Sequence, residues 1–142
     1  MTRIIDIHAH VVLRETFGAA GIYGPDLGEE DLLQTFRVGD YSIRVPYVGS
    51  VFMEVDRRIQ EMDRLGIDIQ VLSPNPLTFF GGITTAEATN FARLSNNAMS
   101  RLVKTYPDRL LGTIALPLQD PDAACDELQR GVRELGLVGG YI

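Results

Sequence analysis

Short apolar runs and longer helical periods alternate along the chain from residue 52 onward. Three runs have the apolar, β-branched composition of buried strands: IDIQVLS at 67–73, RLLGTIALP at 109–117 and LVGGYI at 137–142. The segments before them repeat apolar side chains at the spacings of amphipathic helices: 52–66, 84–107 and 120–136. Strands that alternate with helices form parallel sheets through right-handed crossovers. The pattern therefore predicts an α/β fold.

The predicted helices carry signals at their ends. Thr84 and Glu87 have the spacing of a capping box, in which each side chain bonds the backbone N–H of the other residue. Asp120 is a good N-cap, and Pro121 suits the first helical position because no backbone donor is needed there. Gly66 suits the left-handed position that often follows a helix. These signals support the predicted boundaries.

Residues 14–50 interrupt the regular pattern. They contain six glycines and two prolines, and they show little sustained periodicity. Within them, EEDLLQTF at 29–36 predicts one or two helical turns, and YSIRVPYV at 41–48 predicts a short strand that Pro46 confines to an edge. Long unstructured segments are uncommon inside domains and are often functional. We therefore expect a single domain over residues 1–142, with residues 14–50 as a loop or lid insertion.

Both histidines of the chain lie in IIDIHAH, at residues 4–10. Residues 3–7 are short, apolar and β-branched, which predicts a buried first strand. His8 and His10 are two residues apart, so their side chains should project from the same side at the carboxyl end of this strand. Parallel α/β proteins gather their reactive groups at that end of the sheet.

Two imidazoles that converge at a strand end can bind a divalent metal ion, and zinc, manganese and iron all accept them. Asp6, expected one step deeper on the same side, either orients a ligating histidine or satisfies a neighbouring backbone group. The alternative is that His8 and His10 are hydrogen-bonded polar residues with no metal. The sequence favours the metal site, because the pair ends a predicted strand at the catalytic edge and the chain has no other histidine.

The segment IIDIHAH resembles the opening strand of the amidohydrolase superfamily. The resemblance continues through RIQEMDRLGIDIQVLSPNP and YPDRLLGTIALPLQDP, which are similar to the branch that contains aminocarboxymuconate-semialdehyde decarboxylase and related metal-dependent decarboxylases and hydrolases. It is least clear over residues 14–50. The resemblance implies a (β/α)8 barrel with a catalytic metal at its carboxyl-terminal mouth. His8 and His10 match the first two metal ligands of the family.

A barrel of this type typically needs about 250 residues, whereas this chain has 142 and reaches only a fourth predicted strand. We therefore expect the N-terminal half of a (β/α)8 barrel, with about four parallel strands alternating with helices. The remaining ligands and the catalytic residues of the family would lie beyond residue 142, and the chain alone should be inactive. An open half-barrel exposes unpaired strand edges, so we also expect a homo-oligomer or a missing C-terminal half.

The resemblance implies a decarboxylase or hydrolase that acts on a small carboxylated substrate and uses a metal-activated water. The implied cofactor is a divalent metal ion, with zinc as the first expectation. Arg44 falls where related decarboxylases often carry an arginine that binds the substrate carboxylate, which a guanidinium can hold with two parallel hydrogen bonds. A solvated loop arginine is the alternative. Asn75, Phe79 and Phe80 either line the mouth or belong to ordinary turns.

Other classes of function find little support in the sequence. The net charge is −6 and the basic residues, among them Arg57 and Arg58, are scattered, which argues against nucleic-acid binding. The single cysteine excludes an internal disulfide, and no apolar stretch approaches a membrane span or a signal peptide, so we expect a cytoplasmic protein. The remaining alternative is a small open α/β binding module without metal that resembles flavodoxin-type folds, although no glycine-rich phosphate loop follows the first strand.

Overall fold

The computed structural model describes residues 2–30 and 33–142. In chain order its elements are β1 (Ile5–Val11), β2 (Asp26–Glu30), β3 (Leu33–Val38), β4 (Tyr41–Arg44), α1 (Val55–Leu65), β5 (Ile69–Pro74), α2 (Thr85–Val103), β6 (Leu110–Gly112), β7 (Ile114–Ala115), α3 (Pro121–Arg130) and β8 (Gly140–Tyr141). A π-helical turn, Gly131–Leu135, continues α3. The predicted alternation of strands and helices from residue 52 onward is confirmed.

The main sheet is parallel and follows the chain order. β1, β5 and β6 pair in that order, and β7 pairs with β8. β6 and β7 form one strand interrupted at Thr113, whose backbone N–H still donates to the Leu72 carbonyl at 2.8 Å. Flavodoxin-type sheets reverse their strand order at a switch point, and the described strands show no such reversal. The small binding module considered above therefore does not describe this fold.

The core lies between this sheet and the helices. Its buried residues include Ala9, Val11, Met62, Leu72, Ala98, Met99, Leu110, Ile114 and Leu137. Fully burying a large apolar side chain contributes about 1.5–3 kcal/mol, so this layer holds the strands in place. Gly112 is required for close packing, since a Cβ there would lie 2.6 Å from Met99 Cγ.

The first strand departs from the prediction of a buried strand. Ile5 is 51% exposed and Ile7 is 76% exposed, whereas Ala9 and Val11 are buried. Among the described residues β1 is an edge strand, and the helices cover only the side on which Ala9 and Val11 pack. The prediction of a first strand is confirmed, with bounds Ile5–Val11, and the prediction that residues 3–7 are buried is wrong.

Residues 14–50 contain a sheet of their own. β2, β3 and β4 form an antiparallel three-stranded sheet with β4 at one edge. The predicted helical turn at 29–36 is wrong where the structure describes it, because residues 33–36 lie in β3; residues 31–32 lie outside the described part of the chain. The short edge strand predicted within 41–48 is confirmed for Tyr41–Arg44, which form β4. A lid role for this segment stays a prediction.

A series of contacts between aromatic rings explains why residues 14–50 form strands. Phe36 is 1% exposed, and its ring contacts those of Phe17 and Tyr47 at centroid distances of 6.1 and 5.1 Å. Tyr47 in turn contacts Phe52 at 5.3 Å. Packing of this kind, rather than local sequence preference, decides whether a short segment forms a strand.

The predicted helix caps are confirmed. Thr84 and Glu87 form a complete capping box, and Asp120 caps α3 by accepting hydrogen bonds from two backbone N–H groups. Gly66 ends α1 with a left-handed φ of 71°. Within residues 2–30 and 33–142, no helix combines the length and the apolar character that crossing a membrane would need.

The capping box should make stability depend on pH. Hydrogen bonds from the Thr84 hydroxyl and backbone N–H lower the pKa of Glu87. A carboxyl whose pKa is lower in the folded state stabilises the fold above its unfolded pKa, and this contribution is lost as the pH falls through the folded pKa. We expect Glu87→Gln to lose less stability than the wild type between pH 7 and pH 3, in urea unfolding curves. Equal losses of stability in the Glu87→Gln variant and the wild type would contradict the role of Glu87 in this pH dependence.

Candidate metal-binding site

The structure brings the two histidines together at the carboxyl end of β1. The ring centroids of His8 and His10 lie 4.8 Å apart, and the rings meet edge to face at 80°. His8 is exposed and His10 is half-buried. The two rings are therefore neighbours at this strand end, and imidazole nitrogen is a donor that divalent metal ions accept.

A backbone carbonyl selects the tautomer of His10. Its Nδ1 lies 3.1 Å from the Pro74 carbonyl oxygen at the end of β5. A carbonyl can only accept, so Nδ1 carries the hydrogen, and Nε2 of the neutral ring keeps its lone pair. This pairing, with one nitrogen bonded to a carbonyl and the other left as a donor to metal, is usual for histidine ligands.

A β-bulge lies between Asp6 and Ala9, in the stretch that includes His8. Asp6 pairs with Gln70 and Ala9 pairs with Leu72, so β1 has one more residue than β5 over this stretch. The bulge breaks the alternation on which the predicted position of Asp6 depends. Asp6 Oδ1 accepts from the His8 backbone N–H at 3.1 Å, and Oδ2 accepts from Gln70 Nε2 at 2.7 Å. Of the two roles considered for Asp6, the structure shows the second, the satisfaction of neighbouring backbone.

A buried arginine of α1 reaches the same strand. Arg58 is 6% exposed; its Nη1 donates to Gln70 Oε1 at 2.7 Å and its Nη2 donates to the His10 carbonyl at 2.6 Å. Burial lowers the pKa of Arg58 to about 10, and the nearby charge of Asp6 opposes that shift. The guanidinium is therefore still protonated at neutral pH.

Aromatic side chains adjoin the histidines. The Tyr141 ring, on β8, lies 5.6 Å from the His10 ring and 5.6 Å from the Phe79 ring. Phe80 instead packs against Phe91 of α2 at 5.0 Å. Asn75 accepts a hydrogen bond from the backbone at residue 77 and caps a short 3₁₀ turn, which is its turn role.

The histidine pair fits a divalent metal ion as part of a coordination shell. In the described part of the chain, no three histidine, cysteine, aspartate or glutamate side chains form a group that could hold a metal. Catalytic zinc sites usually combine three protein ligands with water, and the pair supplies two imidazole donors of the correct chemistry.

The amidohydrolase family model matches residues 5–142. This chain belongs to the amidohydrolase family.

Two curated relatives show which amidohydrolases the chain is similar to. It is 41% identical over 87 residues to gamma-resorcylate decarboxylase of Rhizobium sp. strain MTP-10005, an alignment that covers 61% of this chain and 27% of the relative. It is 30% identical over 148 residues to 2-amino-3-carboxymuconate-6-semialdehyde decarboxylase of Dictyostelium discoideum, covering 95% of this chain and 38% of the relative. The predicted superfamily and its decarboxylase branch are confirmed, and the chain spans 27–38% of the length of these relatives.

A solved decarboxylase structure matches nearly the whole of this chain. The dihydroxybenzoic acid decarboxylase from Polaromonas sp. JS666, determined with bound manganese and the inhibitor 2-nitroresorcinol, matches with a TM-score of 0.73 and 31% identity. The match covers 99% of this chain and 38% of that chain. The described strands therefore correspond to the N-terminal half of a (β/α)8 barrel, as predicted.

The amidohydrolase resemblance identified the histidines but not the groups that hold them. The sequence pattern does not distinguish Arg58 from the other scattered basic residues. The position of Arg58 on the helix does indicate that it is buried, because it lies between Val55 and Met62 on the apolar face of α1. Arg44 is the exposed last residue of β4, where it pairs with Thr35. Its predicted contact with a substrate carboxylate stays a prediction.

Proposed function

We propose that His8 and His10 bind a divalent metal ion, and that the protein is a metal-dependent decarboxylase of a small carboxylated substrate. The observation that carries the proposal is the pair of rings 4.8 Å apart, with His10 Nδ1 bonded to the Pro74 carbonyl, which leaves the lone pair of the neutral ring on Nε2. Family membership and the similarity to two decarboxylases support it. We favour decarboxylation over hydrolysis because the named relatives are decarboxylases.

The choice of metal rests on two kinds of support. The similar Polaromonas structure contains manganese, which supports a divalent ion here, while two imidazole donors also suit zinc, our first expectation from the sequence. A bound divalent ion would supply Lewis-acid polarisation of a substrate oxygen or an activated water. The remaining protein ligands would come from strands outside residues 1–142. A cytoplasmic location is part of the same proposal.

The substrate would meet aromatic side chains beside the histidines. The similar Polaromonas enzyme binds 2-nitroresorcinol, and the Rhizobium relative is named for gamma-resorcylate. Tyr141 lies 5.6 Å from both His10 and Phe79, so a planar aromatic carboxylate entering this end of the sheet would contact these rings. Arg44 is the proposed partner of the substrate carboxylate.

Native mass spectrometry with added Mn²⁺, combined with a CO₂-release assay on gamma-resorcylate, tests the proposal. We expect about one ion per chain or per assembled complex. CO₂ release is expected only where further polypeptide supplies the remaining ligands. Absence of bound Mn²⁺ and of bound Zn²⁺ at saturating concentrations would contradict the metal site. If a complex with bound Mn²⁺ and a complete set of protein metal ligands released no CO₂ from gamma-resorcylate, decarboxylation would be contradicted.

The aromatic contact gives a separate prediction. Aromatic pairs contribute about 0.5–1.5 kcal/mol beyond their buried area, so Tyr141→Leu should weaken gamma-resorcylate binding by roughly twofold to tenfold. Calorimetric titration of the Mn²⁺-loaded protein measures this change. Tyr106→Leu is the control, because Tyr106 precedes β6 and its hydroxyl bonds Asp56 of α1 instead. Equal affinities of the Tyr141→Leu variant and the wild type would remove Tyr141 from the substrate site.

A further inference from the structure

Three side chains from three elements form a continuous hydrogen-bonded network behind the histidines. We call Arg58 of α1, Gln70 of β5 and Asp6 of β1 the arginine network. Arg58 donates to Gln70 at 2.7 Å, and Gln70 donates to Asp6 at 2.7 Å. The network ends on backbone at both sides, at the His8 N–H through Asp6 and at the His10 carbonyl through Arg58.

The network is placed where an apolar cluster would be the ordinary choice. Arg58 is 6% exposed and Gln70 is 8% exposed, and Met62 and Leu72 of the neighbouring core are 1% and 0% exposed. Burying a charged group costs several kcal/mol even after relaxation, and apolar replacements of buried ion pairs are often neutral or stabilising. Packing alone therefore does not account for a guanidinium at this position.

The two backbone groups that the network binds belong to the residues of the candidate metal site. The bulge between Asp6 and Ala9 interrupts the regular pairing of β1 with β5, so this backbone is not fixed by the strand ladder alone. Asp6 holds the N–H of His8, and Arg58 holds the carbonyl of His10. Fixing these groups fixes where each imidazole leaves the strand.

We propose that the arginine network is a positioning device for metal binding: Arg58, Gln70 and Asp6 hold the bulged backbone of β1 so that the rings of His8 and His10 stay in the arrangement that binds the ion. The inference rests on the proposed metal site. Arg58 is a positioning residue, since its contacts are with Gln70 and the His10 backbone and not with the space beside the rings.

Metal affinity of Arg58 variants tests this role. Changes to groups that orient metal ligands typically lower metal affinity by 10–100-fold, so we expect Arg58→Met to bind Mn²⁺ and Zn²⁺ about tenfold more weakly in competition with a chromophoric chelator. Arg58→Lys should lose part of the affinity, because one ammonium does not reproduce the two-pronged guanidinium. The imidazole ¹⁵N resonances of His10 should also shift in Arg58→Met without metal.

Arg130→Met is the matched control. Arg130 is another largely buried arginine, and it donates to Glu127 on α3. Its loss should lower the unfolding temperature while leaving the metal affinity and the His10 resonances unchanged. A merely structural role for Arg58 would give the same result as this control.

A second variant keeps the test decisive if Arg58→Met does not fold. Gln70→Leu removes the link between Arg58 and Asp6 and leaves the Arg58 bond to the His10 carbonyl, so we expect weaker metal binding in a folded protein. Wild-type affinity in folded Arg58→Met, or in Gln70→Leu if the first does not fold, would overturn the positioning role. His8→Ala separates the two proposals: unchanged affinity in that variant would overturn the metal site itself.

Discussion

Replacing His10 with alanine should reduce the affinity of the protein for Mn²⁺ or Zn²⁺ by more than about 100-fold, because changes to groups behind a ligand already cost 10–100-fold. His8→Ala should have a similar effect. The two imidazoles are the metal donors that the structure brings together, with their rings 4.8 Å apart. Removing one leaves a single imidazole, which cannot chelate. Competition against a chromophoric chelator measures the loss.

Surface carboxylates require a control, since the net charge of the protein is −6 and acidic surfaces attract cations without a built site. Asp122→Asn removes one exposed carboxylate from the first turn of α3, and we expect it to leave the affinity unchanged. If Asp122→Asn and His10→Ala weakened binding equally, or if neither did, the histidines would not be the metal ligands.

Replacing Asn96 with leucine should destabilise the protein by about 2–5 kcal/mol, because buried groups left without partners cost about 1–3 kcal/mol each. Asn96 is 0% exposed. Its Nδ2 donates to the Ala115 carbonyl at 2.9 Å and to Glu127 Oε1 at 2.8 Å, while its Oδ1 accepts from the Ala115 N–H at 2.7 Å. Both backbone groups of Ala115 in β7 would lose these bonds. Urea unfolding monitored by circular dichroism measures the change.

Asn97→Ala is the neighbouring control for this effect. Asn97 is half-buried and makes one bond, accepting from Arg130 Nη1 at 2.9 Å. One hydrogen bond contributes about 0.5–1.5 kcal/mol, so its loss should cost less than the loss of Asn96. Comparable costs for the two variants would show that Asn96 does not hold β7. Because β7 pairs with β8, which carries Tyr141, the Asn96 bond also supports the aromatic side of the site.

The parts of the structure that follow from local sequence were predictable. Helix ends are determined by residues close in sequence, as at Thr84 and Glu87. The alternation of strands with helices predicts that the strands of the main sheet are parallel. The histidine pair was predictable for the same reason, because side chains two apart on a strand share a side. The resemblance to amidohydrolases then indicated which chemistry these residues serve.

The parts that depend on distant residues were not predictable from periodicity. The bulge at Asp6 is defined only by pairing with Gln70, 64 positions away, and it changes the position of Asp6 relative to the histidines. The sheet within residues 14–50 depends on the ring contacts of Phe36 with Phe17 and Tyr47. A buried arginine such as Arg58 has no periodic signature of its own. Its partners lie on two other elements.

Paramagnetic relaxation by Mn²⁺ tests the metal site most directly. In a ¹⁵N-labelled sample titrated with substoichiometric Mn²⁺, the backbone amide resonances nearest the ion broaden first. We predict that the resonances of His8, His10, Ser73 and Tyr141 disappear before those of the exposed acidic residues on α3, and that His10→Ala abolishes this pattern. Broadening that begins at the acidic residues of α3, or that is unchanged in His10→Ala, would contradict the site.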